Sequence, residues 1–187
     1  MKIIKTHLQG CFEIDPDVIE DDRGYFYESF NVKTFEEVTG IRAEFVQDNQ
    51  SKSIRGVLRG LHFQVPPFAQ AKLVRVISGE VLDVAVDLRK GSPTYGEHHA
   101  VVLSAENKKQ FYLPRGFAHG FLVLSDTAEF FYKCDNYYHH PSDGGIRYND
   151  PSLNIDWTVD ESEIILSPKD MKQPFLADFD SPFLYQP

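Results

Sequence analysis

Apolar and polar residues alternate with period two through the middle of this chain. In Val81-Leu-Asp-Val-Ala-Val-Asp-Leu88, the side chains of Leu82, Val84, Val86 and Leu88 share one face, and Asp83 and Asp87 fall on the other. That is the repeat of a strand, not the 3.6-residue repeat of a helix. Lys72-Leu-Val-Arg-Val-Ile77 precedes it, and Ser78-Gly79-Glu80 between the two predicts a hairpin turn. The series continues at 100–103, 110–113, 120–124 and 128–134, with turn signals at Lys90-Gly-Ser-Pro93, Ser104-Ala-Glu-Asn107 and Ser125-Asp-Thr127. Short strands at nearly regular spacing predict an all-β sandwich or jelly-roll barrel.

Helical pattern is scarce. Asn31 is placed to cap a short helix through Phe35 and Val38 that Gly40 stops. Ser167-Pro-Lys-Asp170 predicts a second helix start, with Pro168 at the first helical position. There is no internal repeat or low-complexity linker, and Pro66-Pro67 reads as a loop within the domain. The 187 residues are expected to form one domain, 1–187.

Composition narrows the partners. A formal net charge of −9 argues against a nucleic-acid or anionic-membrane surface. A small anion held by a few arginines remains compatible with it. No apolar run is long enough to span a bilayer, and Met1-Lys-Ile-Ile-Lys-Thr-His7 has no signal-type apolar stretch. The expectation is a cytoplasmic protein with Cys11 and Cys134 as free thiols.

The candidate chemistry sits in two stretches, Arg55-Gly-Val-Leu-Arg-Gly-Leu-His-Phe-Gln64 and Pro114-Arg-Gly-Phe-Ala-His-Gly120. Each sets a histidine beside glycine and arginine, which suits proton transfer on an anionic substrate. They resemble the two halves of a cupin barrel with one difference. A metal-binding cupin carries His-x-His in its first half, whereas here the pair is His62-Phe-Gln64. An amide is a poor transition-metal ligand beside imidazole or carboxylate. A histidine freed from metal duty suits a general base, because a free imidazole titrates near neutrality.

Over nearly its whole length the chain closely resembles the dTDP-4-dehydrorhamnose 3,5-epimerases, metal-free cupins of deoxysugar biosynthesis. The matching blocks are Asp22-Arg-Gly-Tyr-Phe-Tyr-Glu28, Phe45-Val-Gln-Asp-Asn49, 55–64, 72–76, 83–89, 114–124, Tyr132-Lys-Cys134, Gly145-Ile-Arg147 and Asn149-Asp-Pro151. The resemblance implies a cupin-type jelly-roll barrel with a few short helices, no metal and no other cofactor. It implies inversion of C3 and C5 of a dTDP-4-keto-6-deoxysugar by proton abstraction next to the 4-keto group. His62 is then the base, Asp170 the carboxylate that orients it, Lys72 the cation near the developing oxyanion, and Tyr132 the acid on the far face. Arg59, helped by Arg23 and His119, holds the diphosphate or the sugar. Phe26, Glu28, Gln47, Asn49 and Tyr138 match nucleotide-recognition positions. Family members are homodimers, so Arg23, Phe26 and Glu28 are expected to act across the interface. Two positions depart from the pattern: Asp143 stands where Glu is usual and remains a candidate substrate contact, and Tyr148 stands where Trp is usual, with a packing role.

Plainer readings exist for several of these residues. Asp170 is also a helix-start carboxylate, and Tyr132 lies in an aromatic strand where a core tyrosine is ordinary. The histidines of Tyr137-Tyr-His-His140 alternate in direction on a strand and are not read as a metal pair. The competing functions are a single-centre epimerase or ketoisomerase on a related sugar, a metal-dependent cupin oxygenase, and a non-catalytic sugar-nucleotide binder.

Overall fold

The structure is a computed structural model that describes residues 1–42 and 44–186. The described residues form thirteen strands and one α-helix. The strands are β1 (Lys2–Lys5), β2 (Phe12–Asp15), β3 (Ile19–Asp21), β4 (Gly24–Phe26), β5 (Gln47–Ile54), β6 (Leu58–Gln64), β7 (Lys72–Ser78), β8 (Glu80–Asp87), β9 (His98–Ser104), β10 (Gln110–Leu113), β11 (Phe117–Val123), β12 (Thr127–Cys134) and β13 (Asp143–Gly145). They form a six-stranded sheet in the order β1-β2-β10-β7-β12-β5, a five-stranded sheet β13-β6-β11-β8-β9, and the separate hairpin β3-β4. The two larger sheets face each other as a cupin-type jelly roll.

The period-two reading of β8 is correct, but its polar face does not meet solvent. Leu82, Val84, Val86 and Leu88 pack outward against Ile146, Leu153, Trp157 and Phe183 of the C-terminal segment. Val81 and Ala85 face the barrel interior with Val74, Phe111, Phe121 and Phe130. Asp83 and Asp87 share that interior face, and both are fully buried. Asp87 is satisfied by Arg89, Ser92 and Thr94; Asp83 belongs to the site described below.

Ser78-Gly79-Glu80 is not a hairpin. β7 pairs with β10 and β12, whereas β8 pairs with β9 and β11. The turn carries the chain from one sheet to the other, and Gly79 is required there. Its φ is 80°, and a Cβ would lie 2.1 Å from the Thr127 carbonyl oxygen.

The helix α1 (Val32–Thr39) forms as expected. Asn31 Oδ1 accepts from the Lys33 and Thr34 amides, and Gly40 closes the end in the left-handed conformation. Phe35 anchors it against Phe30, Phe45 and Tyr112. At Ser167 the expected second helix stops after one turn. Ser167 Oγ accepts from the Asp170 amide, but only a 3-10 turn (Asp170–Lys172) follows before Gln173 turns extended. Pro174 supplies no amide hydrogen with which to continue. Tyr148 packs against Trp157, which donates its indole N–H to the Tyr148 carbonyl.

Candidate active site

β6 and β11 are adjacent and antiparallel, with His62 directly opposite His119. Glycines let the two backbones close. A Cβ on Gly60 would lie 2.5 Å from Gly120 Cα, and one on Gly120 would lie 2.9 Å from the Arg59 carbonyl oxygen. A register shift between His119 and Phe121 accompanies this approach, and such bulges re-aim the side chains beside them. Both imidazoles line one cavity of about 500 Å³, as do Arg59, Asn49, Lys72, Tyr132 and Asp170. Lys72 from β7, Tyr132 from β12 and Asn49 from β5 project from the six-stranded sheet, so they face the two histidines across the cavity.

The remaining wall is the segment 165–170. It is tied to the barrel rim by backbone hydrogen bonds from the Ile165 amide to the Gly56 carbonyl and from the Leu58 amide to the Ile165 carbonyl. This brings Asp170, 108 positions from His62, to 2.6 Å from His62 Nε2 through Oδ1. An ionised carboxylate only accepts, so Nε2 carries the hydrogen and Nδ1 the lone pair. The Asp170 carboxylate is 4% exposed and the His62 ring 28%. Burial acts to raise the Asp170 carboxyl, but the His62 hydrogen bond and the attraction of that ring's protonated form outweigh it and hold the group below its ordinary value.

That shift makes stability depend on pH with a definite sign. A carboxyl depressed in the fold contributes stability above its unfolded pKa, and loses it as pH falls through the folded value. The gap in unfolding free energy between wild type and Asp170→Asn should therefore close as pH falls through the acid range. Urea melts across the acid range measure it; a gap that does not change would show that the pair carries no net stabilisation.

On the facing wall, burial lowers the Lys72 ammonium from its ordinary value, and its Nζ lies 5.9 Å from the Tyr132 ring centre. Burial pushes the Tyr132 phenol up to about 12, so the ring keeps its proton at neutral pH. Arg59 donates Nε–H to Ser53 Oγ at 3.1 Å. Its two Nη groups have no protein partner among the described residues and form a free fork at the cavity.

His119 lies within β11. Its Nε2 sits 3.0 and 2.9 Å from the two oxygens of Asp83. The sequence reading did not single out Asp83; a charged residue inside an otherwise apolar alternating strand was the available signal. Lys169 was missed as well. It lines the cavity and binds Asp143 Oδ2 at 2.5 Å, to which Tyr138 donates its hydroxyl at 3.1 Å. Gln47 Oε1 accepts from the Tyr138 amide, and its Nε2 donates to Asn49. Gln47, Tyr138 and Asp143 thus form a bonded rim beside the cavity. Gln64 spends its amide on backbone, donating to the Phe68 and Tyr137 carbonyls and accepting from the His139 amide.

Arg23, Phe26 and Glu28 are not brought to this cavity. Arg23 pairs with Asp21 at 2.5 Å in the turn of the β3-β4 hairpin. Phe26 is 69% exposed, and Glu28 accepts from Asn31 Nδ2.

Known proteins are similar to this chain in sequence and in fold. The family model described as dTDP-4-dehydrorhamnose 3,5-epimerase matches residues 5–178. The dTDP-4-dehydrorhamnose 3,5-epimerase of Shigella flexneri is 54% identical over 180 residues, 96% of this chain and 98% of that protein. The crystal structure of the enzyme of that name from Elizabethkingia anophelis is 58% identical, with a TM-score of 0.92 over 95% of this chain and 97% of the other. That of a dTDP-6-deoxy-D-glucose-3,5-epimerase from Legionella pneumophila, in complex with dTDP-4-keto-L-rhamnose, superposes with a TM-score of 0.95 at 52% identity, covering 100% and 99%. Agreement of this order in sequence and in fold, over nearly the whole chain, means that the chain belongs to the dTDP-4-dehydrorhamnose 3,5-epimerase family.

Proposed function

We propose that this epimerase converts dTDP-4-dehydro-6-deoxy-D-glucose to dTDP-4-dehydro-L-rhamnose by inverting C3 and C5, as a single domain and without metal or nicotinamide. The observation that carries the reading is one cavity with a histidine–carboxylate pair on one wall and a lysine and a protonated tyrosine on the facing wall.

The 4-keto group acidifies the hydrogens on both neighbouring carbons. His62 Nδ1 takes the proton from C3 or C5, and the C–H electron pair moves into an enolate whose charge rests on the C4 oxygen. Asp170 holds the resulting imidazolium through Nε2. The Lys72 ammonium stabilises the oxyanion in a low-dielectric site. Tyr132 delivers its phenolic proton to the opposite face of the carbon, which completes the inversion. The tyrosinate is then reprotonated from solvent, and His62 returns its proton there. Arg59 suits the diphosphate because its fork is free and a guanidinium matches phosphate oxygens in pairs. Asn49, Gln47, Tyr138 and Asp143 flank the cavity where the nucleotide enters, with the Tyr138 ring exposed for stacking on thymine.

The test is incubation in heavy water with the 4-keto substrate. Deuterium should enter at C3 and at C5, with the L-sugar as product. Label confined to one carbon after prolonged incubation would assign the single-centre activity.

The working unit on this reading is a homodimer in the cytoplasm, where Cys11 and Cys134 stay reduced. No helix among the described residues is long and apolar enough to cross a membrane. The β3-β4 hairpin leaves Ile19, Tyr25 and Phe26 58–69% exposed, an apolar patch on a projecting element. Seated on a second copy, it carries Arg23, Phe26 and Glu28 into the neighbour's site. Mixing inactive Arg23→Ala and His62→Asn proteins after subunit exchange should then restore activity. One hybrid site holds an intact His62 and receives an intact Arg23, so up to half the sites of each hybrid dimer work. No recovery in demonstrably mixed dimers would place Arg23 in its own subunit's site or outside catalysis.

A further inference from the structure

The cavity contains a second histidine–carboxylate pair that the proposed steps do not use. Asp83 is 0% exposed, on the interior face of β8, and its carboxylate is shared with His119 Nε2. A carboxylate can only accept, so Nε2 carries the hydrogen. His119 Nδ1 has no hydrogen-bond partner among the described residues. Yet no buried side-chain nitrogen or oxygen among them lacks a partner, so Nδ1 must be the accessible nitrogen. His119 lines the cavity, and its ring is steadied by Phe130, stacked at 5.9 Å.

We propose that Asp83 is a positioning residue, which pins His119 in the Nε2–H tautomer so that Nδ1 faces the cavity as an acceptor for a hydroxyl of the substrate sugar. The inference rests on the sugar-nucleotide reading above. It also divides the work of the site. A neutral nitrogen with its lone pair forward cannot bind a phosphate oxygen or an enolate, because both are acceptors. His119 therefore reads the sugar, and the diphosphate is left to the arginines.

The electrostatics around the pair agree with a neutral ring. Burial lowers His119 below the ordinary imidazole value, and the Asp83 charge and hydrogen bond only partly oppose this. Lys72 from β7 and His62 from β6 act in the same direction as burial. From β12 the facing group is the protonated Tyr132, and Arg59 stands three residues before His62 on β6.

Nitrogen-15 NMR of the imidazoles in the full-length wild-type protein tests the tautomer directly. His119 should show a pyrrole-type Nε2 and a pyridine-type Nδ1 at neutral pH. The sugar nucleotide should move the Nδ1 resonance and dTDP alone should not. In Asp83→Asn the tautomer lock is lost, and Nδ1 should gain pyrrole character. KM for the 4-keto substrate should rise on the order of tenfold, about one hydrogen bond, with dTDP affinity within about twofold of wild type. In a His119→Gln background, Asp83→Asn should add little, because both act on one contact. If Asp83→Asn does not fold, the wild-type spectrum and His119→Gln alone decide. A protonated Nδ1 in wild type, or an unchanged KM in His119→Gln, overturns the role given to Asp83, as do losses that multiply in the double variant. A wild-type protein that binds the sugar nucleotide but does not turn it over overturns the functional reading instead.

Discussion

His62→Asn should lower both epimerisation and solvent exchange by about 10²–10⁴-fold, the contribution expected of a positioned general base, with dTDP affinity nearly unchanged. The reasoning is one of location. His62 and Asp170 occupy the end of the cavity formed by β6 and the 165–170 segment. On the proposed reading, nucleotide affinity comes instead from Arg59 and from the Gln47–Tyr138–Asp143 rim, which lie apart from that pair. An asparagine at 62 is too short to reach Asp170 from where Nε2 lies, but the backbone hydrogen bonds of Ile165 and the Ser167 cap on the Asp170 amide keep the rim segment docked. What is lost is the Nδ1 lone pair. Because removal of the proton precedes inversion, exchange and epimerisation must fall together. Stopped assays with the 4-keto substrate in heavy water, paired with calorimetric titration of dTDP, give both numbers. Near-normal turnover would make His62 a structural histidine. A loss confined to KM would make it a binding group.

How far the sequence reveals this protein depends on what each strand faces. β7 to β12 were legible because their alternation of apolar side chains reports burial on at least one face. β5 was not, although it is eight residues long. Its sequence Gln-Asp-Asn-Gln-Ser-Lys-Ser-Ile carries no hydrophobic stripe, because it is an edge strand whose inward residues Asn49 and Ser51 line a polar cavity and whose other face meets solvent. The same cause hid Asp83. In β8 both faces are buried, so polarity marks the functional interior and not the outside. The change of sheet at Gly79 was invisible for a different reason. A tight glycine turn looks alike whether it joins two strands of one sheet or crosses between two.

The site was legible where a local motif fixes it and obscure where the fold must close it. His62, Arg59 and His119 come from two glycine-marked stretches that prove to be neighbouring strands. The His62–Asp170 pair spans 108 positions, and only the resemblance linked its members. Asp170 keeps its plainer role too, since its amide is capped by Ser167 while its carboxylate reaches His62. Lys169 beside it had no local pattern at all. Arg23 and Phe26 lie on the β3-β4 hairpin and Glu28 just after it, away from this cavity, so on the proposed reading they act in the site of a second copy.

Tyr132→Phe should separate proton removal from inversion. A base on one face cannot invert a centre alone, because a proton returned by His62 restores the original configuration. The cavity offers a donor on the other side: Tyr132 stands on β12, paired between Val74 of β7 and Asn49 of β5, in the sheet that faces His62. Burial pushes its phenol up to about 12, so it is charged with a proton at working pH. The Arg59 charge opposes that rise and helps a tyrosinate to exist for the moment after transfer. Phenylalanine keeps the ring and its packing on Phe130 and removes only the O–H. His62, Asp170 and Lys72 remain, so the enolate still forms. The expected result is wash-in of deuterium at C3 or C5 within about tenfold of the wild-type rate, with epimerised product lower by about 10²-fold or more. Following label and configuration in the same sample by NMR separates the two. If the variant inverts the sugar at close to the wild-type rate, another group or water supplies the proton, and Tyr132 is a core tyrosine that happens to line the cavity.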